Sequence, residues 1–270
     1  PFLLYLRAIN LMHAMKISLI QQNIVWEDRS INLENLEREI SKVPSGTDIV
    51  AFPEMFTTGF SMNPGILSEA PETITYKWMQ KVSAEGGFAV CGSYIVKEEG
   101  SYYNRWVFVG PEGDSWSYDK RHLFSLSGED KVFRKGYGRI VFSFRGVRIC
   151  PFICYDLRFP VWVRNRNEYD LLIIAANWPA SRSGVWMTLL KARAIENQCY
   201  VVGVNRVGTD GRDIRYKGDS MIIDPFGEII IHADDNKACV ISADLSLKEL
   251  KRFRDNFPVA RDSDNFTIDI

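Results

Sequence analysis

The chain has 270 residues, 46% of them hydrophobic and 25% charged, and a formal net charge of −1 from 33 basic and 34 acidic side chains. This is ordinary globular composition with enough apolar mass for a large core. The interspersed charges give neither the basic stripe of a nucleic-acid binder nor a polybasic membrane anchor, so the expected partners are a small molecule and another copy of the chain.

Residues 1–14, PFLLYLRAINLMHA, are too short for a membrane span and lack the charged start and small-residue cleavage site of a signal peptide. They read as an upstream extension ahead of one domain covering 15–270, which no Pro/Gly/Ser-rich linker divides. Strands are expected at 17–24, 48–53, 88–96 and 105–110, then at 140–144, 147–155 and 171–177, and finally at 200–205, 220–223, 228–232 and 238–243. These runs are short, β-branched and bounded by turn residues. Several are apolar on both faces, as strands covered on both sides are. Between them, Leu33, Leu36, Ile40 and Val43 form one helical stripe. Segment 71–85 starts with proline, carries Ile74, Trp78 and Val82, and stops at Gly86-Gly87. Segment 186–198 puts Leu189, Leu190, Ala194 and Ile195 on an inward helical face. Turn residues at 111–114, 145–146 and 224–227 predict hairpins. The order of elements predicts a single α/β layered domain with mixed sheets.

Five cysteines (Cys91, Cys150, Cys154, Cys199, Cys239), four of them in strongly apolar segments, read as thiols rather than as a disulfide framework. That usage fits a reducing cytoplasm.

Three polar residues interrupt apolar strand ends. Glu54 follows Ile49-Val50-Ala51-Phe52-Pro53, where burial would raise its carboxyl towards neutrality and suit it to proton shuttling; the alternative is a strand-end glutamate facing water. Lys120, in Tyr118-Asp119-Lys120-Arg121-His122, could offer a compact charge to a developing oxyanion and lower a nearby thiol's pKa, or be a solvated surface lysine. Cys154 ends the 147–155 run and is followed at once by Tyr155-Asp156-Leu157-Arg158. A strand-to-helix corner there would expose a nucleophile and aim backbone N–H groups at an attacked carbonyl, whereas a cysteine on an apolar strand is otherwise an inert small hydrophobe. No G-x-S-x-G, Walker A, G-x-G-x-x-G or H-E-x-x-H motif occurs. The three histidines, His13, His122 and His232, do not pair with cysteines at zinc spacing, so a structural zinc is not expected. His122 as the base for Cys154 stays open, but leaves Glu54 and Lys120 without a role.

Taken together, Ala51-Phe52-Pro53-Glu54, the 118–124 segment, Ile153-Cys154-Tyr155-Asp156-Leu157-Arg158, Asn177-Trp178-Pro179, the 192–197 segment, and Gly218-Asp219-Ser220 with the 224–227 turn resemble the carbon–nitrogen hydrolase (nitrilase) superfamily. The resemblance covers residue 15 to the C-terminus. It implies a four-layer α-β-β-α sandwich that dimerises through a helical face, with Glu54, Lys120 and Cys154 as catalytic residues and Glu129 as a second active-site glutamate. It also implies amide hydrolysis through a thioester, in which Lys120 and the backbone N–H of Tyr155 hold the oxyanion and no cofactor takes part. The 154–162 and 175–183 segments are similar to the omega-amidase branch, which makes 2-oxoglutaramate and 2-oxosuccinamate the expected substrates. Another small-molecule amidase, a carbamoyl-amine hydrolase or a non-catalytic binding homologue stay open. Such a substrate carries a carboxylate, for which Arg182 is the expected cation, with Trp178 and Phe60 lining the apolar part of the pocket. Asp156 and Arg158 are expected to brace the corner through hydrogen bonds and ion pairs, and Arg193 and Glu196 to pair along a helix.

Overall fold

Successive side chains of a strand point to opposite faces, so a strand that is apolar throughout needs cover on both sides. In the computed structural model, which describes residues 14–268, β1 (Met15–Gln21) and β2 (Ile49–Ala51) follow this rule. Ile17, Leu19, Ile49 and Ala51 enter one core, while Ile20 and Val50 enter another. With β3 (Ala89–Glu98), β4 (Ser101–Val109) and β5 (Ser115–Asp119) they build most of a six-stranded sheet in which β1, β2 and β3 run parallel. Helices α1 (Arg29–Ile40) and α2 (Ile74–Gly86) cover its outer face through Leu36, Trp78, Met79 and Val82.

The second half of the chain repeats the plan. β6 (Phe142–Phe144), β7 (Val147–Ile153), β8 (Leu171–Ala175) and β9 (Tyr200–Val204) are followed by a two-stranded ribbon, β10 (Val207–Thr209) and β11 (Arg215–Lys217). β12 (Met221–Ile223) and β13 (Ile229–His232) complete a second six-stranded sheet ordered β13-β12-β9-β8-β7-β6, with β7, β8 and β9 parallel. β14 (Cys239–Leu245) crosses back to pair antiparallel with β1. Helix α3 (Ser183–Asn197) packs Trp186, Leu190 and Ala194 onto the second sheet, and α4 (Leu247–Asn256) sets Leu247 and Leu250 against the same core. The result is the four-layer α-β-β-α sandwich. Aromatic rings bind its two sheets: Phe108 of β4 lies 5.0 Å from both Phe142 and Phe144 of β6, and Trp116 of β5 stacks on Phe142 at 4.4 Å.

All three expected hairpins form, joining β4 to β5, β6 to β7 and β12 to β13. Other expectations need correction. The extension at 1–14 lies, apart from Ala14, outside the described residues. Ile195, assigned to an inward face, is exposed near the end of α3, and Ile74 is exposed at the first turn of α2. A strand at β5 was implied by the 111–114 turn and by the strand end at Lys120 but was given no bounds, and the β10–β11 ribbon and α4 were not expected. β5 is an edge strand with few apolar residues, Ser-Trp-Ser-Tyr-Asp. The ribbon lies among Gly, Asp and Arg, and α4 carries a charge at most positions and buries only Leu250. All five cysteines are free. Among the described residues, no helix is long and apolar enough to cross a membrane.

Because Phe108 is fully buried and meets rings from two other strands, β5 and β6, besides Trp106 on its own, Phe108→Ala is expected to lower stability by about 3–5 kcal/mol in urea unfolding.

Candidate active site

Glu54, Lys120, Cys154 and Asn177 come from four separate segments and meet where strands of the two sheets end. Glu54 follows β2, Lys120 follows β5, Cys154 follows β7 and Asn177 follows β8. Three of these are parallel strands that deliver their residues at their C-terminal ends, the edge at which open α/β sheets place ligands.

The centre of the site is charged and dry. Glu54, Lys120 and Glu129 are all buried. The Lys120 ammonium lies 2.7 Å from Glu54 Oε1 and 3.0 Å from each oxygen of Glu129. The second oxygen of Glu54 accepts from the backbone N–H of Asn177 at 2.9 Å, and Glu129 Oε2 accepts from the N–H of Phe124 at 2.6 Å. Burial works against the charge on Lys120, but Glu129 and Glu54 outweigh it and hold the ammonium above its ordinary pKa. Burial, opposed by Lys120 and reinforced by Glu54, holds Glu129 above its own. The ring of Phe60 closes over the ammonium, 5.0 Å from Nζ.

Cys154 stands at a sharp corner. Its φ of 44° is left-handed, an unusual conformation for a non-glycine residue, and β7 breaks there into the 3-10 turn Cys154–Arg158. The thiol points back towards the Asn177 carbonyl at 3.9 Å. Loss of water, reinforced by Glu54 and opposed by Lys120, raises its pKa well above the usual thiol value and so favours the neutral thiol.

Asp156 fixes the corner. Its buried carboxylate accepts from the Tyr118 hydroxyl at 2.9 Å, the Ile153 N–H at 3.1 Å and the His122 N–H at 2.9 Å, with His122 Nδ1 at 2.7 Å. Two of these residues flank Lys120 and one precedes Cys154, so a single carboxylate sets the lysine strand against the Cys154 strand. The His122 ring also stacks on Phe159 at 3.7 Å, which commits it to the corner. Arg193 pairs with Glu196 at 2.8 Å as expected, and donates twice to the Leu157 carbonyl at 2.7 and 3.1 Å.

The thiol opens into a partly enclosed cleft, the concave setting in which small-molecule sites are found. The expected lining residues Phe60, Tyr155, Trp178 and Arg182 all face it. Arg158 corrects the expectation made for it: among the described residues it forms no ion pair, and its guanidinium lies over the Trp178 ring at 5.0 Å and lines the cleft. Arg182 lies over Phe124 at 5.5 Å, and Arg212 adds a third guanidinium. None of the three pairs with a carboxylate among the described residues. Trp178 serves wall and core together, since its other neighbour is Trp186 at 5.3 Å.

Asn104 was missed. Its buried amide donates to Glu54 at 2.8 Å and to Glu129 at 3.2 Å. A signal existed: Asn104 shares the inward face of β4 with Trp106 and Phe108, where an unpaired amide is costly. Away from the cleft, Asp219, His232 and Asp235 cluster as a metal site would. Lys217 Nζ lies 3.4 and 3.1 Å from the two aspartates and supplies the positive charge there.

The carbon–nitrogen hydrolase family pattern matches residues 16–255. The chain belongs to this family. The hydrolase is 44% identical to the omega-amidase YafV of Escherichia coli K12, over 95% of its own length and all of the relative's. It is 33% identical to a 2-oxoglutaramate amidase of Bacillus subtilis 168, with 91% of this chain and 96% of the relative covered. A CN-hydrolase superfamily protein of Xanthomonas campestris, solved with an arsenic adduct in its active site, superposes with a TM-score of 0.92 at 37% identity, covering 96% of this chain and all of that one.

Replacing Asp156 by alanine would strand several buried donors at once. Asp156→Ala is expected to lower the hydrolase's stability by about 3 kcal/mol or more in chemical unfolding, since each unpaired buried donor costs roughly 1–3 kcal/mol. Wild-type stability in this variant would remove Asp156 from its bracing role.

Proposed function

We propose that this hydrolase is a cysteine amidase that cleaves the terminal amide of short α-keto dicarboxylic acid monoamides, 2-oxoglutaramate and 2-oxosuccinamate, giving the dicarboxylic acid and ammonia. The observation that carries the reading is the buried Glu54–Lys120–Glu129 cluster beside a corner-held Cys154, at the floor of a cleft edged by unpaired arginines.

The chemistry follows from the charges. A lysine cation between two carboxylates leaves the buried cluster one charge negative, so a resting thiolate would add a second negative charge. The thiol therefore loses its proton only as its sulfur attacks. Glu54 takes that proton while the S–C bond forms, and the carbonyl oxygen becomes an oxyanion held by Lys120 and the Tyr155 N–H. Collapse breaks the C–N bond, Glu54 returns the proton to the leaving nitrogen, and ammonia departs from a thioester. Glu54 then deprotonates a water that attacks the thioester carbon, and the proton goes back to the departing sulfur as the acid is released. Glu129 keeps Lys120 aimed throughout and orients the substrate amide.

Substrate class rests on the rim. Arg158 and Arg182 each have an aromatic ring behind the guanidinium and no carboxylate in front of it among the described residues, an arrangement suited to gripping a carboxylate. The omega-amidase and 2-oxoglutaramate amidase similarities support the same substrate.

Ammonia release from 2-oxoglutaramate, compared with glutamine, asparagine and a simple aliphatic amide, tests the reading. Wild type is expected to prefer the keto-acid amide and Cys154→Ala to release none. Glu54→Gln should lose about 10²–10⁴-fold in kcat. Turnover of a simple aliphatic amide alone would keep the chemistry and discard the substrate. For the rim, Arg158→Met and Arg182→Met are each expected to raise KM roughly 10–100-fold with little change in kcat, the worth of a hydrogen bond to a charged group. A KM that does not move in either variant would exclude both arginines from carboxylate recognition.

A further inference from the structure

Two carboxylates that share one lysine repel each other, and a buried pair needs more than a single cation to hold it in one arrangement. The structure provides a second group between them. Asn104 Nδ2 lies 2.8 Å from Glu54 Oε1 and 3.2 Å from Glu129 Oε1, so its two amide hydrogens reach one carboxylate each. The other end of the carboxamide is anchored: the Ser93 hydroxyl donates to Asn104 Oδ1 at 2.8 Å, and Ser93 Oγ accepts from the Met55 N–H, next to Glu54, at 2.9 Å. That chain of hydrogen bonds fixes which end of Asn104 faces the glutamates. The Asn104 carbonyl in turn accepts from the Lys120 N–H at 3.0 Å. One residue on β4 therefore touches the backbone of the lysine and the side chains of both glutamates.

The oxygens of Glu54 are consequently unequal. Oε1 accepts from both Lys120 and Asn104, whereas Oε2 accepts from the Asn177 N–H alone. The carbonyl of that same Asn177 accepts from the Cys154 thiol. Oε2 is thus the Glu54 oxygen with accepting capacity to spare.

We propose that Asn104 is a positioning residue for the reaction, bridging Glu54 and Glu129 so that Glu54 is held in one orientation as the base for the Cys154 thiol. This inference rests on the amidase reading above. The titratable groups facing Glu54 are Lys120 from the end of β5, Glu129 from the turn Glu129–Val132 and Cys154 from the β7 corner, with Tyr216 of the ribbon facing Cys154 from the opposite wall. Of the groups around Glu54, Asn104 and the Asn177 N–H are the neutral donors, and each favours the ionised form of the carboxylate it binds. Loss of Asn104 therefore has a signature that loss of packing lacks. A carboxylate deprived of a donor holds its proton more tightly, so the acid limb of kcat/KM moves to higher pH.

The test is the pH dependence of kcat and KM for wild type, Asn104→Leu and Asn104→Asp in the full chain, with circular dichroism and melting curves to establish folding. Leucine matches asparagine in size and removes both donors. Aspartate keeps the Ser93 anchor and puts a third carboxyl beside the pair. Both are expected to lose about 10–100-fold in kcat, the scale of a misplaced general base, with KM changed by less than about threefold. The acid limb should rise by roughly one pH unit. Should neither fold, Ser93→Ala carries the test: it keeps both Asn104 donors and removes the hydroxyl that anchors Asn104 Oδ1 and accepts from the Met55 N–H; about two- to tenfold lower kcat with the same direction of pH shift is then expected. Folded variants with an unmoved acid limb, or with the loss confined to KM, would overturn the role of Asn104 while leaving the amidase reading intact. Wild type that turns over no amide would instead bring down the amidase reading itself.

Discussion

An ammonium held in a dry seam between two sheets governs how this protein is built. Lys120 is buried with two carboxylates, and no arrangement of three such charges is tolerable in an apolar interior unless every oxygen and every N–H finds a partner. The local structure meets that demand piece by piece. The loop after β8 turns so that the Asn177 N–H meets Glu54, the chain before Glu129 turns so that the Phe124 N–H meets that carboxylate, and Asn104 reaches both. Each partner comes from a different segment, so the charged centre can exist only when both sheets are assembled. The site is thereby a product of the whole fold rather than of any one loop.

Cys154 depends on the same assembly by another route. Cys154 takes a left-handed backbone, and so does Met55, the residue after Glu54. Such conformations persist where surrounding contacts over-determine them. For Cys154 those contacts run through Asp156, whose carboxylate is shared by the strand that carries Lys120 and the strand that carries the thiol. Arg193, reaching from α3 to the Leu157 carbonyl, pins the far side of the turn. Met55 is held through its N–H by Ser93, which also holds Asn104. The backbone is thus strained at Cys154 and at Met55 beside Glu54, and each is supported from a neighbouring strand.

How much of this could be read from the sequence follows from where each residue's partners lie. The central strands announced themselves, because apolar runs covered on both faces have few other interpretations. Glu54, Lys120 and Cys154 were legible as polar groups at the ends of such runs, and family resemblance supplied Glu129. Arg158 was misread for an instructive reason: two residues from Asp156, it has the spacing of a bracing pair, yet its neighbour in space is Trp178, from the end of the next parallel strand. Helix α4 escaped notice because its charge hides a two-leucine stripe. Asn104 could have been singled out from its face of β4, but its partners lie 50 residues before it and 25 after it, separations that no local pattern records.

The distribution of charge along the cleft gives the proposed reaction a direction. Its floor carries a net negative charge from two carboxylates and one lysine, while its mouth carries Arg158, Arg182 and Arg212. A molecule with a carboxylate at one end and a neutral amide at the other can enter productively in only one sense. The carboxylate is attracted to the mouth and repelled from the floor, and the neutral amide is the end that can approach Glu54 without a Coulomb penalty. Hydrolysis reverses the second relation. Once the amide has become an acid, its ionised form places a new negative charge beside Glu54 and Glu129, in a site where water screens little. The buried lysine, already shared by two carboxylates, has limited capacity to neutralise a third. The electrostatic asymmetry that orients the substrate therefore also favours departure of the product, and both effects originate in the pairing of one buried cation with two anions.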